Sequence, residues 1–152
     1  MVQYVSFDGI VWLILVVGIL GGGMGTMAWY YRRPLRNSVL FAAPIDQLSI
    51  PLGKSAREEF ERGCHQFQLG RFPRALEHFL AVIEQEQDCA EALHNCALAH
   101  ANLGNDNYAV RGFLRAEELY DRQGNKDRID AIKVDLEQLR QRRMAVANEA
   151  NG

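Results

Sequence analysis

The fold of this chain is decided by Leu69-Gly70-Arg71-Phe72-Pro73-Arg74-Ala75-Leu76-Glu77-His78-Phe79-Leu80. A second version of this stretch, Leu103-Gly104-Asn105-Asp106-Asn107-Tyr108-Ala109-Val110-Arg111-Gly112-Phe113-Leu114, follows 34 residues later. Leucine, glycine, alanine and phenylalanine stand at matching places in the two. A fixed period of about 20 to 50 residues indicates repeated units that stack on one another. Here the units predict two pairs of helices, each joined by a short turn.

The match extends outward on both sides of the quoted stretch. Ala56 falls on Ala90, and the small residue Gly63 falls on Ala97. Small residues at such places allow the two helices of a pair to approach closely. Pro73 stands near the predicted start of a second helix, where its missing N–H has no partner to lose. The sequence therefore predicts repeats over 56–89 and 90–123.

This pattern resembles the tetratricopeptide repeat (TPR) over 56–123. The resemblance implies an all-α solenoid of two helix pairs, with Gly70 and Gly104 as turn glycines. It departs from the family pattern at Asp106, where a turn aromatic is expected and Tyr108 follows two residues later. Neither repeat ends in the usual proline.

A fifth helix is predicted within 124–147, because Ile129, Ile132, Leu136 and Leu139 form one apolar stripe. We interpret it as a capping helix that covers the open end of the two repeats, followed by a tail over 148–152. Its basic end has two interpretations, favourable placement at the helix C-terminus or a patch for anionic lipid or an acidic partner. The residues concerned are Arg140, Arg142 and Arg143.

By resemblance to TPR domains, the first helices of the two pairs line a concave partner-binding groove. Their positions on the family pattern are Arg57, Phe60, Cys64, Phe67 and Gln68 in the first repeat, and Glu91, His94, Leu98, Ala101 and Asn102 in the second. The alternative for Phe60, Phe67 and Leu98 is plain core packing, since large apolar side chains mostly fill space. TPR grooves that bind acidic carboxylates use several basic residues, and here only Arg57 fits.

The N-terminal region, 1–33, is predicted to be a transmembrane anchor. Residues 9–31 form a run of 23 without charge, and about 20 are needed to cross a bilayer. The basic residues Arg32, Arg33 and Arg36 follow, which places the N-terminus outside and the C-terminal domain on the cytoplasmic or equivalent side. A cleavable signal peptide is the alternative, but Trp29-Tyr30-Tyr31 stands where small residues would be required.

Glycines are the most specific feature of the predicted span. Gly18 with Gly22 and Gly21 with Gly25 form two overlapping pairs with the spacing that lets membrane helices approach closely. We expect this face to dock on a partner helix or on a second copy. The alternative is a glycine-rich anchor without a partner.

A connector is predicted over 34–55, where Pro34, Pro44 and Pro51 interrupt helices. Its apolar residues, from Val39 to Leu52, are too many for free solvent. They either pack on the following domain or lie along the membrane surface.

The chain carries no catalytic motif, and we expect neither an enzyme nor a cofactor. Cys96 and His100 have a spacing that could bind metal, but the repeat places them in packing positions and no metal site is expected. A redox role for Cys64 or Cys89 is the alternative to a packing role, but neither has a visible activating neighbour. The net charge of −2 gives no reason to expect a nucleic-acid partner.

These features predict a single-pass membrane protein that holds proteins together, as an adaptor or assembly factor for a membrane complex. The layout resembles that of the photosystem I assembly TPR proteins of cyanobacteria and plastids. That resemblance implies a thylakoid membrane, a stromal or cytoplasmic TPR domain and photosystem subunits as partners. The alternative is a permanent small subunit of a membrane complex.

Overall fold

The computed structural model describes residues 39–151. Within this range the protein is all-α, as predicted, with five helices and no strand. The helices are α1 Lys54–Gln68, α2 Phe72–Gln85, α3 Ala90–Asn102, α4 Asp106–Arg122 and α5 Lys126–Asn151.

The predicted anchor lies outside the described residues. This applies to the glycines Gly18, Gly21, Gly22 and Gly25 and to the arginines Arg32, Arg33 and Arg36. Between residues 39 and 151, no helix combines the length and the apolar character that a membrane crossing requires.

The two predicted helix pairs are α1 with α2 and α3 with α4. Their turns are made by Gly70 and Gly104, whose φ angles of 70° and 76° lie in the left-handed region that favours glycine. The next backbone N–H closes each turn: Arg71 donates to Gln66 and Asn105 donates to His100, each at 2.9 Å. The repeated Leu-Gly therefore ends the first helix of each pair in the same way.

Small residues let the helices within each pair approach closely. A Cβ atom added to Gly63 would lie 2.6 Å from Cε1 of Phe79, so α1 meets α2 at this glycine. In the second pair, a Cβ on Gly112 would lie 2.9 Å from that of Ala97. Ala75 and Ala109, at equivalent places on α2 and α4, are fully buried.

Helix α3 is the centre of the domain, since every residue from Ala90 to Ala99 is buried. Helix α2 packs against α1 and α3, and α4 packs against α3 and α5. On α5, Ile132 and Leu139 of the predicted apolar stripe are buried, whereas Ile129 and Leu136 are half-buried against the core.

Helix α5 continues to Asn151, past the predicted end at residue 147. The residues from Met144 to Asn151 contain neither glycine nor proline, so no helix-breaking residue stops it earlier.

Because α5 runs on to Asn151, none of the three arginines predicted at its C-terminal end lies in its last turn. Arg142 instead binds another helix. Its Nη1 donates to the carbonyl oxygen of Ala101 at 2.6 Å, and its Nη2 pairs with Asp106. Arg143 lies 3.8 Å from the same carboxylate, whereas Arg140 makes an exposed pair with Glu137. Arg142 thus satisfies a carbonyl near the end of α3, and α5 is held across the turn between α3 and α4.

Candidate functional site: a groove that holds an extended segment

The described part of the connector, residues 39–53, lies against α3 and is called here the connector segment. It contains neither helix nor strand. Its backbone bonds to α3 side chains run from Asn102 at one end to Glu91 at the other as the segment runs from Leu40 to Ser49. The segment therefore runs antiparallel to α3.

Asn102 makes three hydrogen bonds to the backbone of the connector segment. Its Oδ1 accepts from the N–H groups of Leu40 and Phe41, each at 2.9 Å. Its Nδ2 donates to the carbonyl oxygen of Phe41 at 2.8 Å. The side-chain amide thus satisfies both polar groups of one peptide residue, as a neighbouring strand would.

Asn95 repeats this arrangement four residues further along the connector segment. Its Oδ1 accepts from the N–H of Ile45 at 2.7 Å, and its Nδ2 donates to the carbonyl of Ile45 at 2.8 Å. One turn earlier on α3, Glu91 Oε1 accepts from the N–H of Ser49 at 2.9 Å. Residues spaced by four and seven share one face of a helix, so the three side chains form one polar row.

The side chains of this polar row are buried, so each needs a hydrogen-bond partner. Glu91 and Asn95 are 0% exposed and Asn102 is 2% exposed. A buried polar group without a partner costs about 1–3 kcal/mol, and a charged one costs more. The connector segment supplies the partners, so its backbone completes the groove.

Other elements hold the segment at its edges. Cys64 Sγ on α1 lies 3.6 Å from the carbonyl oxygen of Ile45. Asn125 donates to the Ser49 hydroxyl at 2.8 Å, and Arg128 donates to the Gln47 carbonyl at 3.3 Å. The groove is thus bounded by α1 on one side, by α3 beneath and by the start of α5 on the other side.

Apolar anchors fix the register of the connector segment. Phe41 is buried and meets the ring of Phe113 edge to face, with 6.1 Å between ring centroids. Leu52 is buried near the other end, and Ile45 and Leu48 are half-buried between them. Of the two alternatives for the connector's apolar residues, packing on the domain holds for the large ones from Leu40 to Leu52, whereas Val39 is 54% exposed.

The ten predicted groove residues divide into four groups. Phe60, Phe67, Leu98 and Ala101 are buried in the core, and Arg57 and Gln68 are exposed. Cys64, Glu91 and Asn102 contact the connector segment. His94 is buried and pairs with α5 instead.

Asn95 is a groove residue that the sequence analysis did not predict. It lies one turn after Glu91 and two turns before Asn102, on the same face of α3. That spacing of polar residues on an otherwise apolar helix was the available signal.

His94 links α3 to α5 beside the groove. Its Nε2 lies 2.7 Å from Oδ2 of Asp135, and its ring meets those of Phe113 and Tyr120 edge to face. Within residues 39–151, neither its buried Nδ1 nor the buried Tyr120 hydroxyl has a hydrogen-bond partner. Burial also raises the pKa of Tyr120, so this hydroxyl stays neutral.

The three cysteines are free and buried. Burial raises the pKa of the Cys64 and Cys96 thiols to about 12 and that of Cys89 to about 11. These groups are protonated near neutral pH and are poor nucleophiles.

The described part of the chain brings no third ligand to the pair Cys96 and His100. His100 stacks on the ring of Tyr108, and burial lowers its pKa. Across residues 39–151, no group of three or more histidine, cysteine or acidic side chains is arranged to hold a metal ion.

Comparison with protein-family models, with curated proteins and with solved structures gives no match to this chain.

Proposed function

We propose that this chain is a membrane-anchored adaptor of the TPR type, which holds protein subunits against a membrane complex during assembly. The 34-residue period supports the TPR assignment. So do the equivalent turn glycines and the close helix pairs at Gly63 and Gly112.

The observation that carries the proposal is the polar row of Glu91, Asn95 and Asn102. These side chains bind the N–H and carbonyl groups of an extended segment. Such groups recognise a protein backbone, and buried amides that pair with both backbone groups favour a peptide over a small molecule. The chemistry of this groove is therefore recognition.

The membrane half of the proposal rests on composition. The uncharged run over 9–31 is long enough to span a bilayer. The arginines after it favour a domain on the cytoplasmic or stromal side. The glycine pairs Gly18–Gly22 and Gly21–Gly25 supply a face for a partner helix.

A photosystem is the first complex to test, because the layout resembles that of photosystem I assembly proteins. The second candidate function is a permanent structural subunit. The seated connector segment favours it, since the groove is already filled by the chain itself.

The test is a mild-detergent pull-down of the full chain through a tag at Gly152. The variant replaces Gly18, Gly22 and Gly25 by leucine. The matched control is Gly23→Leu, which lies about 140° from Gly18 around a helix of 3.6 residues per turn and so leaves the docking face intact.

We expect subunits of a membrane complex to co-purify with the parent and the control, below one copy per complex, and to be lost from the triple variant. Retention on the triple variant would show that the span is an anchor and that the domain carries recognition. Equimolar recovery in the mature complex would establish the structural-subunit function. Recovery of the chain outside the membrane fraction would overturn both functions.

A further inference from the structure

The connector segment shows what kind of ligand the groove accepts. Resting on the proposed function, we infer that the groove is an exchangeable peptide site. Its resident ligand is the chain's own connector segment, and its second ligand is an extended, apolar segment of a partner protein. The partner segment would place an aromatic residue where Phe41 lies and an aliphatic residue where Ile45 lies.

The groove needs an occupant, because its floor is polar and buried. Without the connector segment, Asn95 and Asn102 would each lose backbone partners that pair with both ends of the side-chain amide. Glu91 would lose the N–H of Ser49. Water would solvate these groups beside an apolar wall that includes Phe113. A second extended backbone satisfies both the polar row and the wall.

The connector segment can leave the groove without unfolding the helices. It has no helix or strand of its own, so no regular structure must unfold when it moves. Between Phe41 and Leu52, which are buried, every residue except the buried Pro44 is exposed or half-buried. At its end nearest the domain it is joined to α1 through Gly53, which is exposed and whose N–H donates to Glu86 Oε1 at 3.3 Å. A movement about this residue would free the groove and leave the five helices in place.

The contacts also define the chemistry of the partner segment. Backbone N–H groups are required at the places of Phe41, Ile45 and Ser49. The Glu91 carboxylate disfavours an acidic side chain near the place of Ser49, because like charges repel at short distance. At the place of Asp46 the side chain is exposed and its identity is free.

Tethering sets how strongly a free peptide can compete. A segment joined by a short flexible linker acts at an effective concentration on the order of millimolar. A peptide added to the parent chain must therefore overcome the resident segment. Weakening that segment in place, without touching the groove, should strengthen binding of the added peptide.

The experiment uses the full chain in lipid nanodiscs and a fluorescent peptide of sequence 39–53. Phe41→Ala with Ile45→Ala weakens the resident segment. A second variant adds Asn95→Ala and Asn102→Ala. Its matched control instead adds Glu61→Ala and Gln68→Ala, the exposed positions 34 residues earlier on α1. Anisotropy measures peptide binding, and light scattering measures self-association.

We expect the weakened variant to bind the peptide about tenfold or more tightly than the parent does, because the tethered competitor is removed. The α1 control should keep this gain, and the asparagine variant should lose it. Absence of any gain would overturn the inference. Self-association of the parent chain at the peptide's binding concentration would identify a second copy as the occupant and would also overturn the inference.

Hydrogen exchange of the unmodified chain gives an independent result that needs no variant. We expect the amides of Phe41, Ile45 and Ser49 to exchange about 100-fold or more faster than those of α3, through local opening. Equal protection would show that the connector segment is a permanent part of the fold. That outcome leaves the pull-down result untouched, so the inference can fail while the adaptor function stands.

Discussion

Helices α1 and α3 hold equivalent places in the two repeats, yet their surroundings differ. Arg57, Glu61 and Gln68 on α1 are exposed. The residues 34 positions later, Glu91, Asn95 and Asn102, are buried and bind the connector segment. One face of the same structural unit is therefore solvated in the first copy and bound to a ligand in the second.

Neighbours account for this difference. Helix α1 packs on α2, and its opposite side is open to solvent. Helix α3 lies between α2 and α4, contacts α5 through His94 and is crossed by the connector segment. A polar residue on the groove face must therefore be solvated on α1 and paired on α3.

The place held by Phe60 on α1 and by His94 on α3 shows the same effect. Phe60 meets the ring of Phe79 within its own pair, with centroids 5.8 Å apart. His94 reaches Asp135 on α5, at 2.7 Å. The second copy thus uses a polar side chain where a further helix is present to receive it.

The largest expected effect tests whether the two pairs are equivalent inside. Phe79→Ala and Phe113→Ala should each lower the free energy of unfolding by about 3–5 kcal/mol, through lost burial and a cavity. Phe113→Ala should cost more, because its ring also meets Phe41 and His94. Urea unfolding followed by circular dichroism measures both.

The matched controls are Leu80→Ala and Leu114→Ala, the next residues along, whose side chains are 51% and 53% exposed. Each should change stability by about 0.5 kcal/mol or less. A similarly small effect for Phe79→Ala would contradict the packing described for the first pair.

A second prediction separates the groove faces of α1 and α3. Asn102→Ala should lower the free energy of unfolding by about 2–3 kcal/mol, because it leaves Leu40 and Phe41 with unpaired backbone groups. Gln68→Ala, at the equivalent exposed place, should have an effect near zero. Equal effects at the two positions in the same unfolding assay would remove the distinction between the helices.

A third prediction tests where the repeats should agree. Gly70→Ala and Gly104→Ala should each cost about 1–2 kcal/mol, because a Cβ is disfavoured at positive φ. Gly53→Ala is the control, since its φ of −59° is open to any residue and an added Cβ would lie 3.3 Å from Oε1 of Glu86, the flexible end of a side chain. Thermal unfolding should rank the two turn variants together, and a loss confined to one would show that the turns differ.

The smallest effect is expected from a thiol reagent that leaves the fold intact. Burial raises the pKa of Cys64 and Cys96 to about 12, so at pH 8 the folded thiols should label far more slowly than free cysteine. Cys64 should label before Cys96, since the connector segment covers it and α3 is buried along most of its length. Mass spectrometry gives the order, and the reverse order would mean that the segment does not open first.

Alkaline pH should affect stability in a defined direction. Burial raises the pKa of each of these thiols in the folded state above the ordinary value near 9. The contribution of each thiol to the free energy of unfolding is therefore fully present below pH 9 and declines as the pH rises towards 11 and 12. Unfolding by urea at pH 7 and pH 10 measures the decline, and Cys96→Ala should reduce it.

The helices and their turns could be predicted from the sequence because they depend on local signals. Gly70 and Gly104 repeat at a fixed spacing, and the apolar stripe of α5 is continuous from Ile129 to Leu139. The position of the connector segment could not be predicted, because its apolar residues must be shielded from water but do not specify which surface shields them. The pairing of Asn95 with Ile45 joins residues 50 positions apart, and only the packed helices bring them together.

The register of the connector segment determines where in the segment proline is tolerated. Hydrogen bonds from the segment use the backbone N–H groups of residues 40, 41, 45, 49 and 53. Pro44 and Pro51 fall between these residues, at places where no N–H is needed. Selection on this segment would therefore exclude proline at the few residues whose N–H is bonded. The exposed side chains between them could vary. A proline scan of the segment would show this directly, as a loss of stability at each residue whose N–H is bonded.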